Sequence, residues 1–367
     1  MASRGGGEYS IDPSKVKVSA KCLGRGGFGE VFVGSYGGED VAVKVLHSEM
    51  AGVEEEWSKE VEVMAALRHP RILRMFGACF VPKQRMIISE LMPKGDLSSL
   101  LRSSSARDLP WSIKLQIAFD IAAGLSYLHG KHILHRDLKS LNILLDDRLR
   151  AKVSDFGLTK IKTCSMASTT IHKGGAVGTV LWMAPELFGR KVKYSEASDV
   201  YAFGMICLEL MTHKYPFEDD LEGRDVNAVV PQWVTQGERP DVPDGADIPS
   251  FFKKIMQDCW SANVGDRPTM SVIEKELEGK HHTEEVKRQR QAVKREQRHE
   301  SAQQAGASEA LSAILLQAVD QRAGNKSKGN AGVETQFMQS LQVSEKVGDK
   351  KEGQFRLVTD SRRQALQ

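Results

Sequence analysis

The chain lacks the spacings and runs that mark several large protein classes. Its five cysteines, at 22, 79, 164, 207 and 259, are odd in number and form no C-x-x-C pair. Neither a disulfide framework nor a zinc site is expected, and a reducing compartment fits. No apolar run approaches the roughly 20 residues that a membrane span needs. The first residues, Met-Ala-Ser-Arg-Gly-Gly-Gly, hold no apolar core of a secretory signal, and Ala2 fails the myristoylation pattern. The net charge of +3 over 367 residues makes no electrostatic case for nucleic acid or a membrane surface. No internal repeat is visible. These absences predict a cytoplasmic chain with no membrane span and no nucleic-acid partner. What is present is a hydrophobic fraction of 41%, enough for a sizeable core. The length suggests about two to three domains.

The most informative stretch is His135-Arg136-Asp137-Leu138-Lys139-Ser140-Leu141-Asn142, followed further on by Asp155-Phe156-Gly157. Both match the H-R-D-L-x-x-x-N and D-F-G elements, and the chain here resembles the eukaryotic protein kinases. Phosphoryl transfer needs positioning and charge neutralisation more than covalent chemistry. A short loop bearing Asp137 and Asn142 can aim an acid and an amide at one point, and a second loop bearing Asp155 can meet them. The resemblance implies a bilobal α+β fold: a small antiparallel β-sheet N-lobe with one helix, and a larger, mainly helical C-lobe. It covers about residues 18–279, with the N-lobe to about 92. Residues 1–17 read as a flexible lead-in.

Upstream, Leu23-Gly24-Arg25-Gly26-Gly27-Phe28-Gly29-Glu30-Val31 contains G-x-G-x-x-G. That spacing is shared with dinucleotide folds, which place it before a helix. Here it runs into β-rich segments around a Gly37-Gly38 turn, so it belongs to a hairpin sheet. Glycines let backbone N–H groups approach phosphates, and Phe28 at the tip would shield them from water. In the strand Val41-Ala42-Val43-Lys44, alternation puts Ala42 and Lys44 on one face. By resemblance, Ala42 would roof the adenine and Lys44 would reach the α- and β-phosphates. Residues 53–67 read as a helix with Trp57, Val61, Met64 and Leu67 along one stripe. Glu60 on it is the expected partner of Lys44, with Glu56 and Glu62 as alternatives. Met86 to Leu97 reads as a strand and a Pro/Gly break. The resemblance puts Ser89 at the gatekeeper position, with backbone groups of Glu90 and Met92 facing the adenine. A serine there is small, so the pocket behind the adenine should be open.

Residues 110–129 read as a long amphipathic helix with Ile117, Ile121, Leu125 and Leu128 on one face. Ile143-Leu144-Leu145 and Ala151-Lys152-Val153 read as a hairpin that delivers Asp155. The stretch 158–182 resembles an activation segment, with Thr163, Ser165, Ser168, Thr169 and Thr170 as candidate phosphosites that would pair with Arg136. It closes on Gly178-Thr179-Val180-Leu181-Trp182-Met183-Ala184-Pro185-Glu186, which contains A-P-E. By resemblance, Asp199 ties the catalytic loop to a helix running to Met211, and Arg267 pairs with Glu186.

Residues 280–367 differ in composition, being rich in Gln, Lys, Arg, Glu and Ser. They read as a charged tail, partly helical or disordered. The basic run Lys287 to Arg290 fits a solvated helix face or a nuclear-targeting signal. Leu311, Ile314, Leu315 and Val319 form an apolar patch that would dock on the kinase or on a partner.

Lys139 and Thr179 are what serine/threonine kinases carry, and the motifs together look most like the tyrosine-kinase-like, Raf-like and mixed-lineage-like group. The resemblance implies transfer of the ATP γ-phosphate to Ser/Thr hydroxyls of protein substrates. Leu23, Gly24, Gly26, Gly27, Phe28, Gly29, Val31, Ala42, Lys44, Ser89, Glu90 and Met92 would bind ATP. Asn142 and Asp155 would hold Mg2+, and Asp137, Lys139, Asn142, Lys44 and Glu60 would do the chemistry. An upstream activating kinase and a kinase-domain dimer are the further partners implied. A catalytically silent scaffold and a dual-specificity kinase are the alternatives. A kinase for small metabolites is disfavoured by the G-T-x-x-W-M-A-P-E segment, which shapes a peptide platform.

Overall fold

A computed structural model describes residues 9–26, 29–46, 61–81, 84–156, 179–189, 192–243 and 248–280. Strands β1 (Val16–Gly26), β2 (Gly29–Tyr36), β3 (Glu39–Leu46), β4 (Met75–Val81) and β5 (Gln84–Glu90) form one antiparallel sheet in the order β1-β2-β3-β5-β4. The β2–β3 connection is the expected tight turn. Gly37 and Gly38 both take positive φ, 62° and 87°, which suits a two-residue hairpin whose twist matches its strands. Alternation along β3 holds as read: Val41 and Val43 are fully buried on one face, and Ala42 and Lys44 turn to the other.

The buried face of the sheet forms a small core of its own from Val16, Val41, Val43, Cys79, Met86 and Ile88, joined by Ile11. This changes the reading of the lead-in. Tyr9 O accepts from Ala78 N at 3.0 Å and Ile11 N donates to Ala78 O at 2.9 Å, so residues 9–11 run along β4. The cause is the edge position of β4, whose outer backbone groups would otherwise be unpaired. Gly77 permits the approach, since a Cβ there would strike the Tyr9 carbonyl and the Ile11 side chain.

Of the expected helix 53–67, residues 61–66 are described as helical, here α1. Val61, Met64 and Ala65 drop into the main core. That core continues through α2 (Leu97–Arg102), α3 (Trp111–Gly130), α4 (Glu196–Thr212), α5 (Val226–Gln236), α6 (Ser250–Cys259) and α7 (270–280). Ile117, Ile121, Leu125 and Leu128 of α3 are all fully buried. The hairpin β6 (Ile143–Leu145) and β7 (Ala151–Val153) has the two segments expected from sequence, pairs Ile143 with Val153, and packs on α3 through β7. Every residue of α4 from Ser198 to Met211 is buried, so this helix is the axis of the larger lobe. Ser195 and Ser198 close its N-terminus as a capping box. The two-lobed α+β architecture is therefore the expected one.

Candidate active site

The catalytic loop enters from α3 and is fastened from beneath by Asp199 of α4. One Asp199 oxygen accepts from His135 N at 2.9 Å, the other from Arg136 N at 3.0 Å, and His129 Nε2 lies 2.9 Å from the first. This clamp holds Arg136 in the left-handed region, φ 64°, a conformation that a non-glycine residue keeps only when its surroundings enforce it. His135 is fully buried. Its Nε2 lies 3.0 Å from Ser154 O, and its Nδ1 accepts from Asp137 N at 3.3 Å. A carbonyl can only accept, so the ring is fixed as the Nε2–H tautomer. The imidazole thereby couples the loop carrying Asp137 to the strand end that delivers Asp155, which itself sits at φ 56°.

Above this base the functional side chains converge. Asn142 Nδ2 donates to Asp137 O at 2.7 Å and to Asp137 Oδ2 at 3.3 Å. Lys139 Nζ lies 3.2 Å from Asp137 Oδ1. It also donates to Thr179 Oγ1 at 2.9 Å, and Thr179 donates on to Asp137 Oδ1 at 3.3 Å. Lys44 Nζ reaches both Asp155 oxygens at 2.8 Å across the lobes. Glu60, the expected partner of Lys44, lies outside the described residues, as do Gly27, Phe28 and all five candidate phosphosites from Thr163 to Thr170.

A cavity of about 630 Å³ opens in front of this cluster. Leu23, Gly24, Val31, Ala42, Lys44, Ser89, Glu90 and Met92 all line it, as do Asn142 and Asp155. Gly26 and Gly29 pair with each other at the β1–β2 tip instead. A Cβ on Gly29, at φ 154°, would run into the Val45 carbonyl. Glu90 is the last residue of β5. Its carboxylate is held by Lys152 Nζ at 2.7 Å and Arg74 N at 2.7 Å, which straps the start of the hinge to both lobes.

Among the lining residues that the sequence reading did not assign to the cavity, Leu144 and Leu141 differ in how legible they were. Leu144 lines the cavity, and the alternation of β6 announces it, since Ile143 and Leu145 are fully buried while Leu144 is only partly buried. Leu141, which also lines the cavity, carries no such signal.

The donor set suits a hard cation bridging phosphates. Asn142 spends its amide nitrogen on Asp137, which leaves its side-chain oxygen available as a donor to a cation, and Asn142 and Asp155 both line the cavity. No group of three or more His, Cys, Asp or Glu able to hold a metal occurs among the described residues. A metal here would draw its remaining ligands from phosphates and water, as Mg2+ does.

Two short turns follow in the chain, Thr179–Trp182 and Pro185–Phe188. Arg267 locks the second one. Its Nη1 and Nη2 meet the two Glu186 oxygens at 2.8 and 2.9 Å, and its other donors reach Ala197 O and Ser261 O, both at 2.9 Å. Burial of Glu186 alone would raise its pKa. The Arg267 hydrogen bonds and charge, a backbone hydrogen bond and Ser198 together outweigh that and hold the carboxyl below its ordinary value.

Residues 18–277 match the family described as protein tyrosine and serine/threonine kinase. The chain belongs to the protein kinases. Among curated relatives, the kinase domain is similar to two Dictyostelium discoideum proteins named probable serine/threonine-protein kinases, drkD and drkA. Identity to drkD is 35% over 74% of this chain and 20% of that protein. For drkA it is 36% over 73% of this chain and 40% of that protein. A third relative, at 34% over 73% of this chain and 52% of its own length, is named dual specificity protein kinase shkC. The kinase chain thus spans well under two thirds of each of these relatives.

Proposed function

We propose that this chain is a protein serine/threonine kinase that transfers the γ-phosphoryl group of ATP to substrate hydroxyls by direct in-line displacement. The observation that carries the reading is the closed set of Asp137, Lys139 and Thr179, in which a cation and a hydroxyl both face the carboxylate oxygen of the loop acid. In that arrangement Asp137 orients the incoming hydroxyl and takes its proton as the new P–O bond forms. Lys139 balances charge on the group in flight, and Thr179 fixes Lys139. Lys44 steadies the phosphates with the glycine loop Gly24 to Gly29, and Glu60 holds Lys44. Ala42, Leu144 and the hinge from Ser89 to Met92 hold the base. Asn142 and Asp155 would hold Mg2+, whose charge neutralises phosphate oxygens when bound.

The loop motif, with Lys139-Ser140, and the W-M-A-P-E platform favour the tyrosine-kinase-like, Raf-like branch. The name of one relative supports dual specificity as the second reading. The working boundaries are a kinase domain at 18–279 and a tail at 280–367. An upstream kinase acting on Thr163 to Thr170, with Arg136 receiving the phosphate, and pairing of kinase domains would regulate it. No helix among the described residues is long and apolar enough to cross a membrane, and we assign the chain to the cytoplasm.

The test is phosphate transfer from Mg-ATP to a generic protein, with phosphoamino-acid analysis, for wild type, Asp137→Asn and Lys44→Met. We expect phosphoserine and phosphothreonine from wild type and a loss of about a thousandfold in both variants. Phosphotyrosine alongside them would select the dual-specificity reading. ATP binding without transfer, after treatment with an activating kinase, would select a scaffold.

A further inference from the structure

Helix α4 carries a second buried carboxylate beyond Asp199, and the scheme above does not use it. Glu209 is fully buried. Its Oε1 accepts two hydrogen bonds from different segments: Ser140 Oγ at 3.1 Å and Trp182 Nε1 at 2.9 Å. Ser140 follows Lys139 directly and opens the turn that ends at Asn142. Trp182 ends the turn that Thr179 begins. The two segments that meet above at Asp137, through Lys139 and Thr179, are therefore joined again below through one oxygen atom. We propose that Glu209 is a positioning residue for phosphoryl transfer, setting the catalytic loop and the peptide platform at a fixed separation.

The surroundings make this joint consequential. Ser140 and Trp182 are themselves buried, so no bulk water can replace the acceptor if it is lost. On the other side, Glu209 Oε2 faces Arg102 Nη1 of α2 at 3.4 Å. The Arg102 guanidinium lies 3.6 Å over the Tyr215 ring, and Tyr215 OH meets Ser98 Oγ at 3.0 Å. Arg102 Nε and Nη2 are buried with no hydrogen-bond partner among the described residues, so this countercharge is committed to Glu209 and to the ring. Lys114 of α3 and His213 at the end of α4 complete the charged surroundings of Arg102. Burial pushes the Glu209 carboxyl up to about 7, against the pull of Arg102, Ser140 and Trp182. A proton on Oε2 would face a guanidinium, so the joint is tightest when Glu209 is ionised.

The inference rests on the kinase reading, and its test separates the two. Full-length wild type, Ser140→Ala, Trp182→Phe, Glu209→Ala and Glu209→Gln are compared by peptide phosphorylation kinetics. Amide hydrogen exchange in residues 137–145 and 179–184 is followed in parallel and needs no turnover. Ser140→Ala should lower kcat about tenfold with the peptide KM nearly unchanged. Trp182→Phe should raise the peptide KM severalfold with kcat nearly unchanged. The KM for ATP should stay constant in both. Glu209→Ala should show both effects and faster exchange in both segments, and adding Ser140→Ala to it should cost nothing more. Glu209→Gln keeps an oxygen for both donors and should recover part of the loss, with the acidic limb of the kcat–pH profile gone. If Glu209→Ala does not fold, Ser140→Ala and Trp182→Phe carry the same test, each with faster exchange confined to its own segment. Wild-type kcat and peptide KM in both of those variants would overturn the proposal, as would unchanged exchange. An inactive wild type would instead sink the kinase reading and leave exchange to decide this one.

Discussion

Thr179 Oγ1 accepts from Lys139 Nζ at 2.9 Å and in turn donates to Asp137 Oδ1 at 3.3 Å. A hydroxyl in that position both anchors the lysine and screens it from collapsing fully onto the acid. Thr179→Val keeps the shape and removes both bonds. It should cost about one to two orders of magnitude in kcat while leaving the KM for ATP near wild type, because Thr179 does not line the nucleotide cavity. Thr179→Ser should retain most of the activity. Steady-state kinetics on one peptide decides between these outcomes.

The Lys44–Asp155 contact gives a second, metal-linked expectation. Lys44 meets both Asp155 oxygens at 2.8 Å, so a cation already neutralises the acid that is to face phosphates. Asp155→Asn keeps the volume and lowers the charge. Transfer should fall by about a thousandfold and the Mg2+ concentration for half-maximal activity should rise, since a neutral amide is a weaker ligand for a hard cation. Titrating Mg2+ at fixed ATP would expose the change. An unaltered metal requirement would remove Asp155 from the metal site.

Much of this site was legible because kinase chemistry concentrates its charged groups in short motifs. The eight residues from His135 to Asn142 hold the acid, the lysine and the amide within one loop, so their convergence follows from chain geometry. The alternation in Val41-Ala42-Val43-Lys44 oriented Lys44 before any fold was known, and the resemblance supplied the Glu186–Arg267 pair. What stayed hidden were contacts made only by tertiary packing. Nothing local to Tyr9 or Ile11 says that β4 is an edge strand needing cover. Nothing local to Glu209 says that a carboxylate in an apolar helix meets Ser140 and Trp182 from two other segments. Leu144 was recoverable from the period of its strand. Leu141 was not, because a loop has no period.

Ser89 sits opposite Ala42 in the sheet, and the cavity runs past it to Met64, Met75 and Phe156. The small side chain keeps that inner region continuous with the hinge. Ser89→Phe should fill it. ATP affinity should change by no more than severalfold, while ligands carrying a bulky group on the adenine amine should lose at least about a hundredfold. Competition binding with one such ligand measures both. Equal affinity in the variant would place the bulky group elsewhere.

The Glu186–Arg267 pair is buried at its arginine end and bidentate. Arg267→Ala strands a carboxylate and should cost about 3–5 kcal/mol of stability. Arg267→Lys keeps the charge but not the fork and should recover only part of it. The pair also has a pH signature. The folded-state pKa of Glu186 is depressed, so its contribution is present above the ordinary carboxylate value and is lost as pH falls through the folded one. Denaturant unfolding at pH 7 and at pH 4 should therefore show a smaller gap between wild type and Arg267→Ala at the lower pH.

Glu209 predicts the opposite slope. Its folded-state carboxyl is raised to about 7 from an ordinary 4.5. The folded protein thus holds the proton more tightly than the unfolded chain. The stability this contributes is complete below about pH 4.5 and is lost as pH rises through about 7. At about 1.4 kcal/mol for each pKa unit, the loss amounts to about 3 kcal/mol. Glu209→Gln is neutral throughout and removes the dependence. The stability of wild type minus that of the variant should therefore fall steadily between pH 5 and pH 8, about the span of the linkage. Arg102, Lys114 and His213 are common to both proteins, so their own titrations cancel in the difference. Urea melts at four pH values would measure it, and a flat difference would mean that Arg102 keeps Glu209 ionised throughout. The sign carries a functional consequence. The ionised form that best joins the catalytic loop to the platform is the less stable one, so Glu209→Gln, which keeps the shape and silences this charge, should lose less stability than wild type as pH rises to 8 and should phosphorylate more slowly.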